Sequence, residues 1–277
     1  MSTLTVRKLN VDLSNGFGRH WAGGDAYRTQ LLNALSMTFP LGEQSFIDSM
    51  RAISEQRVAD PALRAEMRDF IGQEASHRFV HVQYNAELAK QGLVFVREAS
   101  IARRMRYLAR SDPLSWLAAT CAVEHYTAVL ADCALRLPAL LAGAEPDMRT
   151  LWSWHAAEET EHKGVAFDVY RAAGGTYGRR IAMYLTASVM LAIDIGLQTT
   201  DNLRRDGELW KARTWRSGMR TWFGADGLFW QALGPLLHYL SPRFHPWQYD
   251  NRHLATDWLA QHADAVRSAG TRDAGRY

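Results

Sequence analysis

Apolar positions recur with a helical period along most of this chain, and clusters of Pro, Gly and Asp cut the pattern into segments. Residues 1–24 are polar and Gly-rich around Ser14-Asn15-Gly16-Phe17-Gly18 and read as an extended or loop segment. Helical periodicity starts near Asp25 and reaches Met37. Phe39-Pro40-Leu41-Gly42-Glu43 then interrupts it. Pro lacks a backbone donor and Gly is entropically poor in a helix, so a kink or a restart at Leu41 is expected, with Glu43 beside irregular backbone. Ala59-Asp60-Pro61 is turn chemistry. A second helix is expected over residues 61–91, with Pro61 in its first turn and Gly92 past its end. Residues 92–111, with Arg97, Arg103, Arg104, Arg106 and Arg110, read as a connection long enough to cross a bundle about 30 Å long. A third helix should start at Ser111-Asp112-Pro113 and end near Leu137-Pro138. A fourth, capped by Asp147, should reach about Ala173 before Gly174-Gly175.

The last hundred residues differ in pattern. Residues 181–193 form an apolar run broken by Asp194; this is short of a membrane span, so a buried fifth helix is expected. Arg204, Arg205, Lys211, Arg213, Arg216 and Arg220 follow, interleaved with Trp210, Trp215, Trp222 and Phe223. Such a mixture fits a membrane-surface helix, or equally Trp residues packed on the bundle with the Arg side chains solvated. The tail from Ser268 looks frayed. These segments predict an all-α chain: an N-terminal extension (1–24), a four-helix bundle with a crossover connection (25–175), and a C-terminal helical appendage packed on it (176–277).

Candidate chemistry comes from one repeated spacing. Glu-x-x-His occurs as Glu74-Ala75-Ser76-His77 and as Glu159-Thr160-Glu161-His162, and each is preceded by a lone Glu, Glu43 or Glu124. Residues three apart on a helix lie about 60° from alignment, so each Glu/His pair can grip one ion. The midpoints between lone Glu and motif Glu fall at Ala59-Asp60-Pro61 and in Leu141-Ala142-Gly143-Ala144-Glu145-Pro146, both breakers, so each half folds back and its carboxylates meet at one level. Four buried carboxylates need cations, and two divalent ions balance them. The pattern is that of a carboxylate-bridged dinuclear site with ligands Glu43, Glu74, His77, Glu124, Glu159 and His162. Glu158, four before His162, competes with Glu159 for its role. His81 and His155 should also face inward, as hydrogen-bonded partners of the ligands, extra ligands or proton carriers. His125 and Tyr126 should face away, and His238, His245 and His253 should be capping or surface residues.

Composition adds bounds. Apolar content of 47% with 22% charged residues is that of a globular chain, and a net charge of +3 is too small to make nucleic acid the main partner. Cys121 and Cys133 fall on one predicted helix about 18 Å apart, too far for a disulfide. With no apolar signal-peptide core after Met1, a cytoplasmic protein is expected, with peripheral membrane contact through the Trp/Arg segment left open, as is homodimerisation.

With these residues in view, the chain resembles the ferritin-like superfamily of dinuclear iron proteins. More closely, it resembles the bacterial family described as predicted metal-dependent hydrolases. The segments that carry this are Phe39-Pro40-Leu41-Gly42-Glu43, Gln73-Glu74-Ala75-Ser76-His77, Glu124-His125-Tyr126-Thr127, Trp154-His155-Ala156-Ala157-Glu158-Glu159-Thr160-Glu161-His162-Lys163 and Phe244-His245-Pro246-Trp247. The resemblance implies a ferritin-like bundle, the same six ligands, and two iron ions, with manganese or a mixed pair as other occupants. The preferred expectation is an O2-activating di-iron oxygenase or oxidase acting on an apolar or lipid-like substrate, with an unidentified electron donor. Phe46, Ile47, Leu117, Cys121 and Ala128 are expected to line its cavity. The alternatives are a dinuclear metal-dependent hydrolase and a metal store or redox protein, the long appendage arguing against storage.

Overall fold

The computed structural model describes residues 4–137 and 139–268. Among the described residues the chain is all-α apart from one short two-stranded ribbon. Helix α1 spans Ala26–Arg51, with the Asp25 side chain accepting from the Arg28 amide at its start. It continues through Pro40, which corrects the expected restart at Leu41. The lost hydrogen bond is replaced: Pro40 leaves the Ser36 carbonyl without its helical donor, and Asn85 Nδ2 donates to that carbonyl at 2.9 Å. Glu43 therefore sits in regular helix, 2% exposed.

Helix α2 spans Pro61–Lys90, capped by Asp60 and followed by Gly92 at φ 85°, a backbone conformation that suits glycine. The connection that follows is not plain coil; it folds as α3, Glu98–Ala109. Helix α4, Pro113–Arg136, is capped by Asp112, which accepts from the Ser115 amide. The expected fourth helix is two: α5, Pro146–His162, and α6, Val165–Ala172. Its N-cap is Glu145, not Asp147, and Glu145 makes no side-chain cap; its carboxylate accepts instead from the Gly18 amide. The break falls at Lys163-Gly164, where a Cβ on Gly164 would lie 2.4 Å from Trp247 Nε1. Helices α7 (Tyr177–Arg205), α8 (Ala212–Phe223), α9 (Leu228–His238) and α10 (Arg252–Gln261) complete the set. Strand β1 (Arg7–Leu9) pairs antiparallel with β2 (Val266–Ser268), Arg7 opposite Ser268. The N-terminal extension is thus tied down and Ser268 is paired; the rest of the expected frayed tail lies outside the described residues.

α1 packs on α2, α4 packs on α5, and contacts of α1 with α4 and of α2 with α6 close the assembly. Two apolar clusters fill it. One gathers Met37, Val80, Tyr84, Trp152 and Trp154; the other gathers Phe46, Phe70, Leu117, Cys121 and Val165. Along each of α1, α2 and α5, the residues between these clusters are the Glu and His residues of the repeated motif. An outer layer covers α1 and α4: α3 and α7 touch both, α8 lies on α1, and α9 lies on α4.

The fifth helix departs from expectation. α7 is long and apolar enough to cross a membrane, yet only 17% of its apolar window is buried. The positions it buries include Arg180, Asp194, Gln198 and Asn202, while Leu185, Val189, Ile193 and Leu197 are exposed. Its polar residues face inward because they have partners there. Asp194 takes ion pairs from Arg97 and Arg104 of α3; Gln198 donates to the Val94 carbonyl and to Asn202; and Asn202 donates to the Gln30 carbonyl. The Trp residues do not all pack inward either: Trp222 donates to Tyr27 Oη, but Trp210 is 91% exposed.

Candidate metal centre

The six motif residues converge from α1 (Glu43), α2 (Glu74, His77), α4 (Glu124) and α5 (Glu159, His162), each at most 2% exposed. His162 Nε2 lies 3.2 Å from Glu74 Oε1 and 3.5 Å from one oxygen each of Glu124 and Glu159. His77 Nδ1 lies 3.5 Å from Glu159 Oε1. The donor atoms of Glu43, Glu74 and His77 lie within 4.8 Å of one another, as do those of Glu74, Glu159 and His162.

These atoms are close but not hydrogen-bonded. Both oxygens of Glu43, Glu74 and Glu124, one of Glu159, His77 Nδ1 and His162 Nε2 are buried without a partner. Buried polar atoms are otherwise almost always satisfied, so this concentration of orphaned Lewis bases marks a site built for positive charge. Titration agrees. Burial, then the neighbouring carboxylates of Glu74 and Glu159, pushes Glu43 well above the usual carboxylate range, and burial with Glu159 and Glu74 does the same to Glu124. Burial opposes charge on His77, but its hydrogen bond to Glu158 and the nearby carboxylates of Glu159 and Glu74 outweigh it and hold the ring at about 10. Burial likewise opposes ionisation of Glu159, yet the charge on His162 draws it well below its ordinary value. Without cations the cluster retains protons in their place.

The second nitrogens of the two motif histidines are held from outside. His77 Nε2 donates to Glu158 Oε2 at 3.1 Å, and His162 Nδ1 donates to Gln73 Oε1 at 3.0 Å. This leaves the lone pairs on His77 Nδ1 and His162 Nε2 aimed at the centre. Gln73 Nε2 donates to Glu161 Oε2, and Arg7 of β1 donates to Glu158 at 3.3 Å and to both oxygens of Glu161 at 2.6 and 3.1 Å. Glu158 is therefore buried and engaged with His77 and Arg7, while Glu159 is the one facing His155 and His162. Arg7 and Gln73 hold the cluster from outside in a way that spacing could not reveal: Arg7 meets Glu158 across 151 residues.

His81 and His155 do point inward. His81 Nε2 is 2.9 Å from His155 Nδ1, and His155 Nε2 is 3.2 Å from Glu159 Oε1. His81 Nδ1 is 2.9 Å from Ser36 Oγ, which donates to Asn85 Oδ1 at 2.8 Å. Asn85 cannot be turned over, because its amide nitrogen serves the Ser36 carbonyl. Its oxygen therefore faces Ser36 and takes the hydroxyl proton. His81 Nδ1 must then donate to Ser36 Oγ, and His155 Nδ1 must donate to His81 Nε2. His155 Nε2 is left bare toward Glu159, a contact that needs a proton or a cation between the two atoms. Burial, with His77 nearby, lowers His155 to about 4, so the ring is neutral.

Other expectations resolve individually. His125 faces away, with Nε2 3.0 Å from the Pro235 carbonyl, and Tyr126 donates to Ser188 Oγ. His245 accepts from the Trp247 amide as a cap and sits 2.8 Å from Asp168. His238 is exposed and stacks edge-on against Phe244, and His253 is exposed. Cys121 and Cys133 are free and buried. Of the residues expected to line an apolar cavity, Phe46, Leu117 and Cys121 pack into the second cluster and Ile47 is buried. Ala128 lines a cavity of about 320 Å³ with His125, Asp132, Lys163 and Tyr249, which includes none of the six motif residues.

Fold and site together define an all-α protein with a buried carboxylate–imidazole cluster of metal-binding type. The chain belongs to the family described as predicted metal-dependent hydrolase, whose profile matches residues 5–250. No curated protein and no solved structure matches it.

Proposed function

We propose that Glu43, Glu74, His77, Glu124, Glu159 and His162 hold two divalent cations and that the protein is a dinuclear metal-dependent hydrolase. One observation carries this reading: nine donor atoms from these residues are buried at one level with no partner, inside a chain of a metal-dependent family. We read the four helices that bear them as a ferritin-like bundle, one Glu each from α1 and α4 and a Glu-x-x-His each from α2 and α5, with residues 91–112 as its crossover. Oxygen-rich donors with two imidazoles suit iron or manganese better than thiolate-seeking ions. A pair of such ions, when bound, supplies Lewis acidity and a water of lowered pKa. The chain does the rest. The two apolar clusters on either side keep bulk water out, and Glu158 and Gln73 fix the imidazole orientations. The bare Nε2 of His155 can take a proton at the edge of the site and share it with Glu159. The family description supports hydrolysis over oxygen activation, which the ligand pattern alone puts first.

Oxygen activation stands as a second reading, favoured by the predominance of carboxylates, hard donors that support an oxidised iron pair. One series of measurements separates the two. The loaded protein should carry two metals per chain, and Glu74→Ala and His162→Ala should each lose metal; retained stoichiometry would remove them from the ligand set. Manganese- or zinc-loaded protein should then cleave phosphate or acyl esters. Ferrous protein that consumes O2 and is inert toward esters would reverse the assignment.

A further inference from the structure

We propose that α7, α8 and α9 form a face that docks on an anionic lipid bilayer, lying in its surface and not spanning it. The proposal does not depend on the chemistry of the metal centre.

The first observation is the inverted polarity of α7. Its partnered Asp194, Gln198 and Asn202 lie inside, and Leu185, Val189, Ile193 and Leu197, spaced four apart, lie outside at 53, 55, 42 and 51% exposure. A helix in water does the opposite. The inner side of α7 is packed on α1 and α4 along its length, so it cannot be surrounded by lipid. The same outer layer adds a second stripe at the same spacing from α8, Trp215, Met219 and Phe223, and a third from α9, Phe229, Trp230, Leu233 and Leu237. α8 packs on α9 and on α1, its Gly218 pressed against Tyr27. The summed exposed surface of these side chains is on the order of 1,000 Å², where single exposed apolar residues need no explanation but stripes of them do.

Charge selects the occupant. From Leu209 to Ala225 the sequence carries Lys211, Arg213, Arg216 and Arg220, three Trp residues, and no Asp or Glu. Lys211 and Arg213 are paired with Glu208, but Arg216 and Arg220 are exposed and have no acidic partner among the described residues. They follow Trp215 and Met219 directly, so a cationic edge runs beside the apolar stripe of α8. A two-fold contact with a second copy places the same patch on both sides and would bring these cations toward their own counterparts. Anionic headgroups above an acyl layer match both the charge and the stripe, and exposed Trp residues suit the interfacial zone. Trp210, 91% exposed in the turn between α7 and α8, lies next to Lys211 in that segment.

The test uses the full, metal-loaded chain in sedimentation with vesicles of phosphatidylcholine alone or mixed with phosphatidylglycerol. Binding should favour the mixed vesicles, fall with added salt, and blue-shift tryptophan emission. Arg216→Gln with Arg220→Gln should weaken it roughly thirtyfold, about fivefold per cation. Leu233→Ser with Leu237→Ser should weaken it even at low salt. All four positions are exposed, so bound metal should stay as in the parent. No partition onto the mixed vesicles, or partition that survives both double substitutions, overturns the proposal. So does a dimer in sedimentation equilibrium that the α9 substitutions split, if that dimer fails to bind vesicles.

Discussion

At the scale of single residues, the site depends on side chains that touch no donor-lined centre directly. Arg7 reaches from the N-terminal strand to Glu158 and Glu161, which in turn orient His77 and, through Gln73, His162. Arg7→Ala should weaken metal binding about 10- to 100-fold, the usual effect of removing an outer support of a ligand. A chelator competition on the variant, with circular dichroism to check the fold, measures it; unchanged affinity would reduce Arg7 to a surface ion pair. The six motif residues themselves were legible in the sequence, because helix geometry turns a spacing of three into a shared face. Arg7, Gln73 and Glu158 were not, since their roles follow from which strand and which amide lie alongside, and no local period encodes that. The choice of Glu159 over Glu158 for the centre required the helical phase that only the packed α5 supplies.

At the scale of elements, the sequence misleads where a tertiary partner overrides a local rule. Pro40 reads as a break, yet α1 continues because Asn85 supplies the missing donor. Asn85→Ala should destabilise the fold by about 1–3 kcal/mol, since it strands the Ser36 carbonyl. Adding Pro40→Ala should recover part of that loss by restoring a helical amide. Chemical denaturation of the two single variants and the double variant gives the coupling; strictly additive effects would disconnect the two residues. The second helix and the starts of α2 and α4 were readable because Asp60-Pro61 and Asp112-Pro113 carry cap and first-turn chemistry together. α7 was misjudged for the opposite reason. An apolar run is ordinarily buried, but here Arg97, Arg104 and Gln30 offer its polar side better partners than solvent does.

At the scale of the whole molecule, the centre concentrates like charge where the fold is tightest. Stability should therefore follow metal loading, rising by about 2.7 kcal/mol at a free metal concentration a hundred times the dissociation constant. The metal-free protein should also depend on pH in a definite direction. The ring of His77 titrates at about 10 when folded against an ordinary 6.5, and His162, Glu43 and Glu124 are also displaced upward. The folded form thus holds more protons than the unfolded form between about pH 6.5 and 10, so stability is lost as the pH rises through that window; below it, His155 and His125, held neutral down to about 4 by burial, work in the opposite direction. Thermal unfolding of chelated protein across this window should show a falling midpoint, and metal-loaded protein a nearly level one. A rising midpoint in the chelated sample would contradict the charge assignment.

The interruption between α5 and α6 falls one residue beyond His162, and the far end of the chain fills it. Lys163 donates to the Tyr249 carbonyl and to Asn251 Oδ1, Asn251 donates to Asp132 of α4, and Trp247 lies against Gly164. The Trp247–Asn251 segment thereby works as a latch, tying α4 to the end of α5, two helices that carry motif residues, from outside. Damage to that latch would be felt first as loosened metal and only later as lost helix.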